Sequence, residues 1–182
     1  EYELFAAALQ RAETDAIWPP AISAARFLAL TGWRSGEALD LQWKDLDLDR
    51  NTAQLPDTKT GYSVRPLSAA ACDILHALPK IGERVFPASR GTGSMSGFPK
   101  LWARIVAKEN MPTDVTPNVL RHSFISLAAD LGLSEPTIGA LVGHKGHSIT
   151  SRYMHLADAV LLAAADEVAG QTTVLMQGTK GK

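Results

Sequence analysis

The amino-acid sequence predicts a mainly α-helical domain with a small antiparallel β-sheet, an α+β arrangement. Three observations lead there. Apolar residues recur at helical spacing along most of the chain, and glycine and proline punctuate those runs where helices stop and start. One segment, "TAQLPDTKTGYSVRPLS", breaks the pattern: two short alternating runs flank a Gly-bearing turn, the signature of a β-hairpin.

Taken in order, the opening segment has helix-forming composition and ends before Pro19-Pro20. "AISAARFLALTG" fits a mostly buried helix stopped by Gly32. "SGEALDLQWKDLD" reads as one short helix with Ala38 and Leu41 inward. The hairpin follows, with Lys59 near its tip, and "ERVFP" reads as a third, short strand. Between them, Ser68 to Leu78 returns to helical period. "RGTGSMSG" is a glycine- and serine-rich loop, after which Leu101, Trp102, Ile105 and Val106 mark one helix face. Thr116-Pro117 is a helix start, with Thr116 as N-cap and Pro117 at the first helical position. Leu120, Phe124, Leu127 and Leu131 then form an apolar stripe. Ile138, Leu141 and Val142 belong to a shorter helix closed by Gly143. Ser148 caps a helix carrying Tyr153, and a last helix spans roughly 158–169. The tail "TTVLMQGTKGK" holds a short apolar, strand-like piece. The division expected is one domain over residues 1–170 and a tail over 171–182 that forms a strand or docks on a neighbouring protomer.

Composition narrows the function. The chain has 182 residues, 46% hydrophobic and 20% charged, enough for one real core. No apolar run is read as reaching the ~18–20 residues that span a bilayer, so no membrane association is expected. A single cysteine, Cys72, excludes an internal disulfide, reads as a core residue and fits a reducing cytoplasm. Eighteen basic against nineteen acidic residues give a formal charge of −1. That balance weighs against a nonspecific DNA-coating protein and leaves room for a local anion site.

Several residues could build such a site. Arg121 lies one turn into the helix beginning at Pro117, with Asn118 three residues earlier on the same face. The free N–H groups and positive end of that helix suit an anion, although an arginine off an apolar stripe is also simply a solvated one. Arg34 follows the helix-stopping Gly32 and has Glu37 three residues on as a partner. Lys59 is an ordinary exposed turn lysine or a mobile cation able to donate a proton. His144 and His147 lie in a loop without a second cysteine or a nearby acid, so no metal is expected there. Tyr153 shares a face with Ile149 and Leu156, the spacing of a core tyrosine. As a nucleophile its phenol, with an unperturbed pKa of about 10, needs cations around it or its target.

In this order the segments resemble the catalytic domain of tyrosine recombinases, the phage-integrase family. "TGWRSGEALDLQWKDLD" resembles the first-arginine region, with Arg34 as the arginine and Glu37 as its supporting acid. "TKTGYSVRPL" carries the hairpin lysine, Lys59, and "TPNVLRHSFISLAADLG" the second arginine, Arg121. "TIGALVGHKGHSITSRYMHL" carries His144 and the tyrosine nucleophile, Tyr153. The resemblance runs from about Leu4 to Gly170 and departs at one place: the usual His-x-x-Arg is here Asn118-Val119-Leu120-Arg121. Asparagine can hydrogen-bond a phosphate oxygen but carries no charge and shuttles no proton.

The resemblance implies a site-specific recombinase that cleaves and rejoins double-stranded DNA through a 3′-phosphotyrosyl link, without metal, ATP or other cofactor. It assigns catalytic roles to Arg34, Lys59, Asn118, Arg121, His144 and Tyr153, with Glu37 in support. It also implies a homo-oligomer, a tetramer, on DNA, with a monomer open for the isolated domain. An N-terminal helical clamp domain usual in the family is expected to be absent from this chain. Two alternatives stay open: a type IB topoisomerase-like enzyme, and a catalytically weakened or silent DNA-binding relative, for which Asn118 argues.

Overall fold

The computed structural model describes residues 2–58, 61–109, 111–112, 114–143 and 154–178, and the side chains among them outside 56–61 and 154–157. Helix α1 (Tyr2–Thr14) buries Phe5, Ala8, Leu9 and Ala12, one face at helical spacing. Helix α2 (Pro19–Thr31) starts with Pro19, whose fixed φ suits the first helical turn. It buries nine residues from Ala21 to Thr31 and leaves the narrow face of Pro19, Ser23 and Arg26 at least partly open, so α2 is the central helix. Gly32 stops it in the left-handed conformation at φ 62°, its N–H donating to the Leu28 carbonyl. Helix α3 (Ser35–Asp40) follows at once, with Ala38 and Leu41 buried.

The stretch read as one helix through Asp47 divides. After α3 come a 3-10 turn, Trp43–Asp45, and strand β1 (Leu46–Asp47). Strand β1 is the third strand of the sheet, whose order is β1-β2-β3, all antiparallel, with β2 (Thr52–Thr58) and β3 (Gly61–Pro66) forming the expected hairpin. The strand expected at "ERVFP" does not form: Arg84 makes only an isolated bridge to Gln42, while Val85 and Phe86 enter the core.

Helix α4 (Ala69–Ala77) is capped by Ser68, whose Oγ accepts from the Ala71 N–H. Cys72 on this helix is buried, and burial, with the charges of Asp166 and Asp73 behind it, pushes its thiol up to about 11. Helix α5 (Phe98–Val106) turns Phe98, Trp102, Ile105 and Val106 inward, and the Trp102 indole N–H donates to the Val115 carbonyl at 2.8 Å. Helix α6 (Pro117–Asp130) begins as expected, with Thr116 at the N-cap position, though the threonine hydroxyl makes no capping bond. Helix α7 (Glu135–Val142) is capped by Ser134 and closed by Gly143 at φ 69°.

Helix α8 (Met154–Gln177) corrects two expectations. The "TTVLM" piece is helical, and the last helix runs to Gln177 rather than to residue 169. β-Branched residues favour strands only weakly, and packing overrides them here: Ala165, Val168, Ala169 and Thr172 continue one buried face. Thr173 donates its hydroxyl to the Ala169 carbonyl one turn back. The 20-residue stretch Asp158–Gln177 is also long and apolar enough to cross a membrane by composition, contrary to the sequence reading. In the fold it packs against α1, α2, α4, α6 and α7.

Two buried clusters result, a larger one centred on α2 and a smaller one of Phe124, Ala128, Ile138, Leu141, Val142, Ala164, Ala165 and Val168. They meet where α6 crosses the end of α2. A Cβ on Gly32 would stand 2.6 Å from the Phe124 ring, so only glycine lets these helices approach so closely. We expect Gly32→Ala to destabilise the fold by about 2–4 kcal/mol, combining left-handed strain with overpacking. Urea denaturation measures it, and a loss below about 0.5 kcal/mol contradicts this account of the crossing.

Candidate active site

The site is built around Glu37, on the first turn of α3. Its carboxylate has four acceptor positions, and all four are used. Oε1 accepts from Arg34 Nη1 at 3.0 Å and Arg65 Nη2 at 2.8 Å. Oε2 accepts from the Arg34 backbone N–H at 3.0 Å and Arg65 Nη1 at 2.9 Å. The partner from β3, Arg65, is fully buried, and its guanidinium also lies 5.1 Å from the centre of the Trp33 ring. Burial pushes the Glu37 carboxyl up, but the Arg65 hydrogen bonds and charge, with the bonds from Arg34, outweigh it. The net result is below the ordinary value of 4.5.

Arg121 enters from α6. It is only 4% exposed, so the solvated-arginine alternative is excluded. Its Nη1 donates to the Gly32 and Val142 carbonyls, both at 2.8 Å, and its Nη2 is buried with no hydrogen-bond partner among the described residues. Burial, then the Arg34 charge, with Arg65 adding to them and Glu37 opposing, pushes this guanidinium down to about 10. It stays cationic at neutral pH. Arg34, about one-third exposed, reaches the Gly143 carbonyl at 3.4 Å. Consecutive carbonyls at the end of α7 therefore receive Arg121 and Arg34, which lie 87 positions apart in sequence but side by side in space.

Of the residues singled out in the sequence, Arg34, Glu37 and Arg121 come together. Asn118 does not join their hydrogen bonds: it is exposed on the first turn of α6, with Nδ2 2.9 Å from His122 Nε2. Lys59, His144 and Tyr153 lie outside the described residues. Their nearest described neighbours are the ends of the hairpin, Gly143 and Met154 respectively. Arg65 was missed by sequence reasoning, and so was the role of Gly143. A Cβ on Gly143 would fall 2.1 Å from Arg65 Nη2, so the α7 end rests directly on the guanidinium. The one available signal was "VRPL", an arginine inside a strand just before a proline that ends it. Among the described residues no group of His, Cys, Asp and Glu could hold a metal ion.

Comparison with known proteins gives the same ordering of segments a context. The family model described as "Phage integrase family" matches residues 1–159. The chain belongs to this family. A shufflon-specific DNA recombinase of Escherichia coli is 35% identical over 145 residues, covering 78% of this chain and 36% of that protein. A tyrosine recombinase XerC of Roseiflexus castenholzii is 30% identical, covering 71% of this chain and 45% of that one. The chain thus spans less than half the length of these relatives. Among solved structures, XerH site-specific recombinase bound to its difH substrate superposes with a TM-score of 0.65 at 22% identity, over 88% of this chain and 50% of that one. The XerA recombinase gives 0.62 at 18% identity, over 97% and 62%. These likenesses establish the tyrosine recombinase catalytic-domain fold.

The Glu37 geometry predicts an acid sensitivity with a definite sign. Because its folded value is depressed, the group contributes stability that is fully present above pH 4.5 and is lost as pH falls through the folded value. The stability difference between the natural protein and Glu37→Gln should therefore shrink as pH falls below 4.5. A difference that stays constant in urea titrations from pH 7 to about 3.5 would contradict it.

Proposed function

We propose that this chain is the catalytic part of a site-specific DNA recombinase that breaks and rejoins double-stranded DNA through a 3′-phosphotyrosyl intermediate. One observation carries the reading: the guanidinium groups of Arg34, Arg65 and Arg121 gather near the Glu37 carboxylate, and Arg121, buried beside Arg34, holds an Nη2 donor with no partner among the described residues. Such a cluster needs an anion, and a phosphodiester supplies two non-bridging oxygens for it. Membership of a family whose relatives include recombinases supports DNA as the source of that phosphate.

On this reading the Tyr153 oxygen attacks phosphorus, the Tyr–O–P bond forms and the P–O5′ bond breaks. Arg34 and Arg121 clamp the non-bridging oxygens as charge grows on them in the pentacoordinate transition state. Lys59 gives its proton to the departing 5′-oxygen. His144 bonds a phosphate oxygen or takes the phenolic proton, and Asn118 adds a neutral contact. The phosphotyrosine conserves the bond energy, so a 5′-hydroxyl of another strand reverses the step and strands are exchanged without ATP. Association into a tetramer on DNA belongs to the same reading.

A nicked suicide duplex, selected for binding by this chain and losing its 5′-hydroxyl fragment after cleavage, tests it. The natural protein should form a covalent adduct, Tyr153→Phe none, and Arg121→Ala about 10²–10³-fold less, the usual effect of removing one transition-state donor. Binding without any adduct favours the silent DNA-binding relative for which Asn118 argues. Relaxation of supercoiled plasmid without exchange between paired sites favours a topoisomerase. An adduct formed by Tyr153→Phe removes the tyrosine from its role.

A further inference from the structure

We propose that Arg65 is a positioning residue for the anion-binding arginine Arg34, acting through Glu37 and fastening the β2–β3 hairpin to the end of α7. The inference rests on the recombinase reading above and deepens it.

The argument begins with what Arg65 touches. Every polar atom of its guanidinium is directed within the protein: Nη1 and Nη2 to the two Glu37 oxygens, and Nε to Ser63 Oγ at 3.4 Å. One face of the group lies over Trp33 and one edge against Gly143. With no exposure it is sealed from any ligand, so it cannot itself bind phosphate. Its two bonds nevertheless decide where the Glu37 carboxylate sits. The remaining acceptor positions of that carboxylate then fix both the Arg34 backbone N–H and its Nη1.

Stability alone does not account for this arrangement. A buried ion pair is generally no more stabilising than well-packed apolar side chains of similar volume, because both charges lose their water. Strand β3 could hold an aliphatic residue there, opposite Ala53. What an aliphatic residue could not do is set the plane of the carboxylate. Without Arg65, both Glu37 oxygens would be free to turn onto Arg34 and draw its guanidinium from the shared position beside Arg121. Arg65 also links three segments that carry other proposed catalytic residues: the hairpin bearing Lys59, the α3 start bearing Arg34, and Gly143, next in sequence to His144.

The test uses single-turnover adduct formation on the nicked duplex at saturating protein, beside duplex affinity and thermal melting. Arg65→Met keeps most of the volume, and Arg65→Lys keeps the charge without the two-pronged geometry. We expect cleavage to fall at least 30-fold in Arg65→Met and about 10-fold in Arg65→Lys, while both melt cooperatively above the assay temperature and bind the duplex within about threefold of the natural protein. A second substrate carries a neutral methylphosphonate at the scissile position. It removes one oxygen charge and with it the need for a well-placed second guanidinium, so Arg65→Met and the natural protein should differ on it by less than about threefold. A merely structural role would lower both substrates alike, and that result overturns the inference. So does cleavage of the ordinary substrate by Arg65→Lys at the natural rate, which remains decisive where Arg65→Met does not fold. If the natural protein forms no adduct, the recombinase reading fails instead.

Discussion

A carboxylate shared between two guanidinium groups is the constraint on which the site depends. Glu37 accepts four hydrogen bonds, two from Arg65 and two from Arg34, and has none to spare. The arrangement is stiff because it is complete. Removing one partner of a buried pair leaves an uncompensated charge and costs about 3–5 kcal/mol, far more than the pair adds over an apolar substitute. A cluster of this kind is poor at raising stability and good at holding one geometry.

The second arginine is held differently. Arg121 pairs with no carboxylate among the described residues and lies between two helix C-termini, its Nη1 donating to the carbonyl of Gly32, which caps α2, and to the last carbonyl of α7. Both helices offer the negative ends of their dipoles there, which partly offsets the cost of burying the cation. Glycine makes both approaches possible. Gly32 and Gly143 adopt left-handed backbone conformations, and side chains at either place would strike Phe124 or Arg65. The same two residues that stop helices in the sequence thus also create the space in which the arginines converge.

This double duty explains what the sequence could and could not reveal. Helix starts and stops are local, so α2, α6 and α7 were legible from Gly32, Thr116-Pro117 and Gly143, and the hairpin from its alternation. The face of the hairpin was not. Tyr62 and Val64 point outward and Arg65 inward, the reverse of the apolar-in pattern by which strands are read, so periodicity sends Arg65 to solvent. Arg121 was identified by its motif, but its burial depends on α2 and α7, which are remote in sequence. "TTVLM" and "ERVFP" failed for a related reason. Each has strand-like composition, yet one is packed as helix against α1 and α2, and the other enters the core with no more than a single-residue bridge to Gln42.

The charge count in the site also bears on how it would favour reaction over mere binding. Among the described residues, Arg34, Arg65 and Arg121 against Glu37 leave two positive charges uncompensated. A phosphodiester in its ground state carries one negative charge, and attack by a phenolate brings a second into the pentacoordinate transition state. On the proposed reading the cluster is therefore under-neutralised when DNA first binds and better matched as negative charge grows. Differential stabilisation of this kind raises the rate, whereas equal stabilisation of both states would only tighten binding. Burial first, and then the Arg34 charge, hold the Arg121 guanidinium down at about 10, and on the proposed reading negative charge growing beside it favours its cationic form.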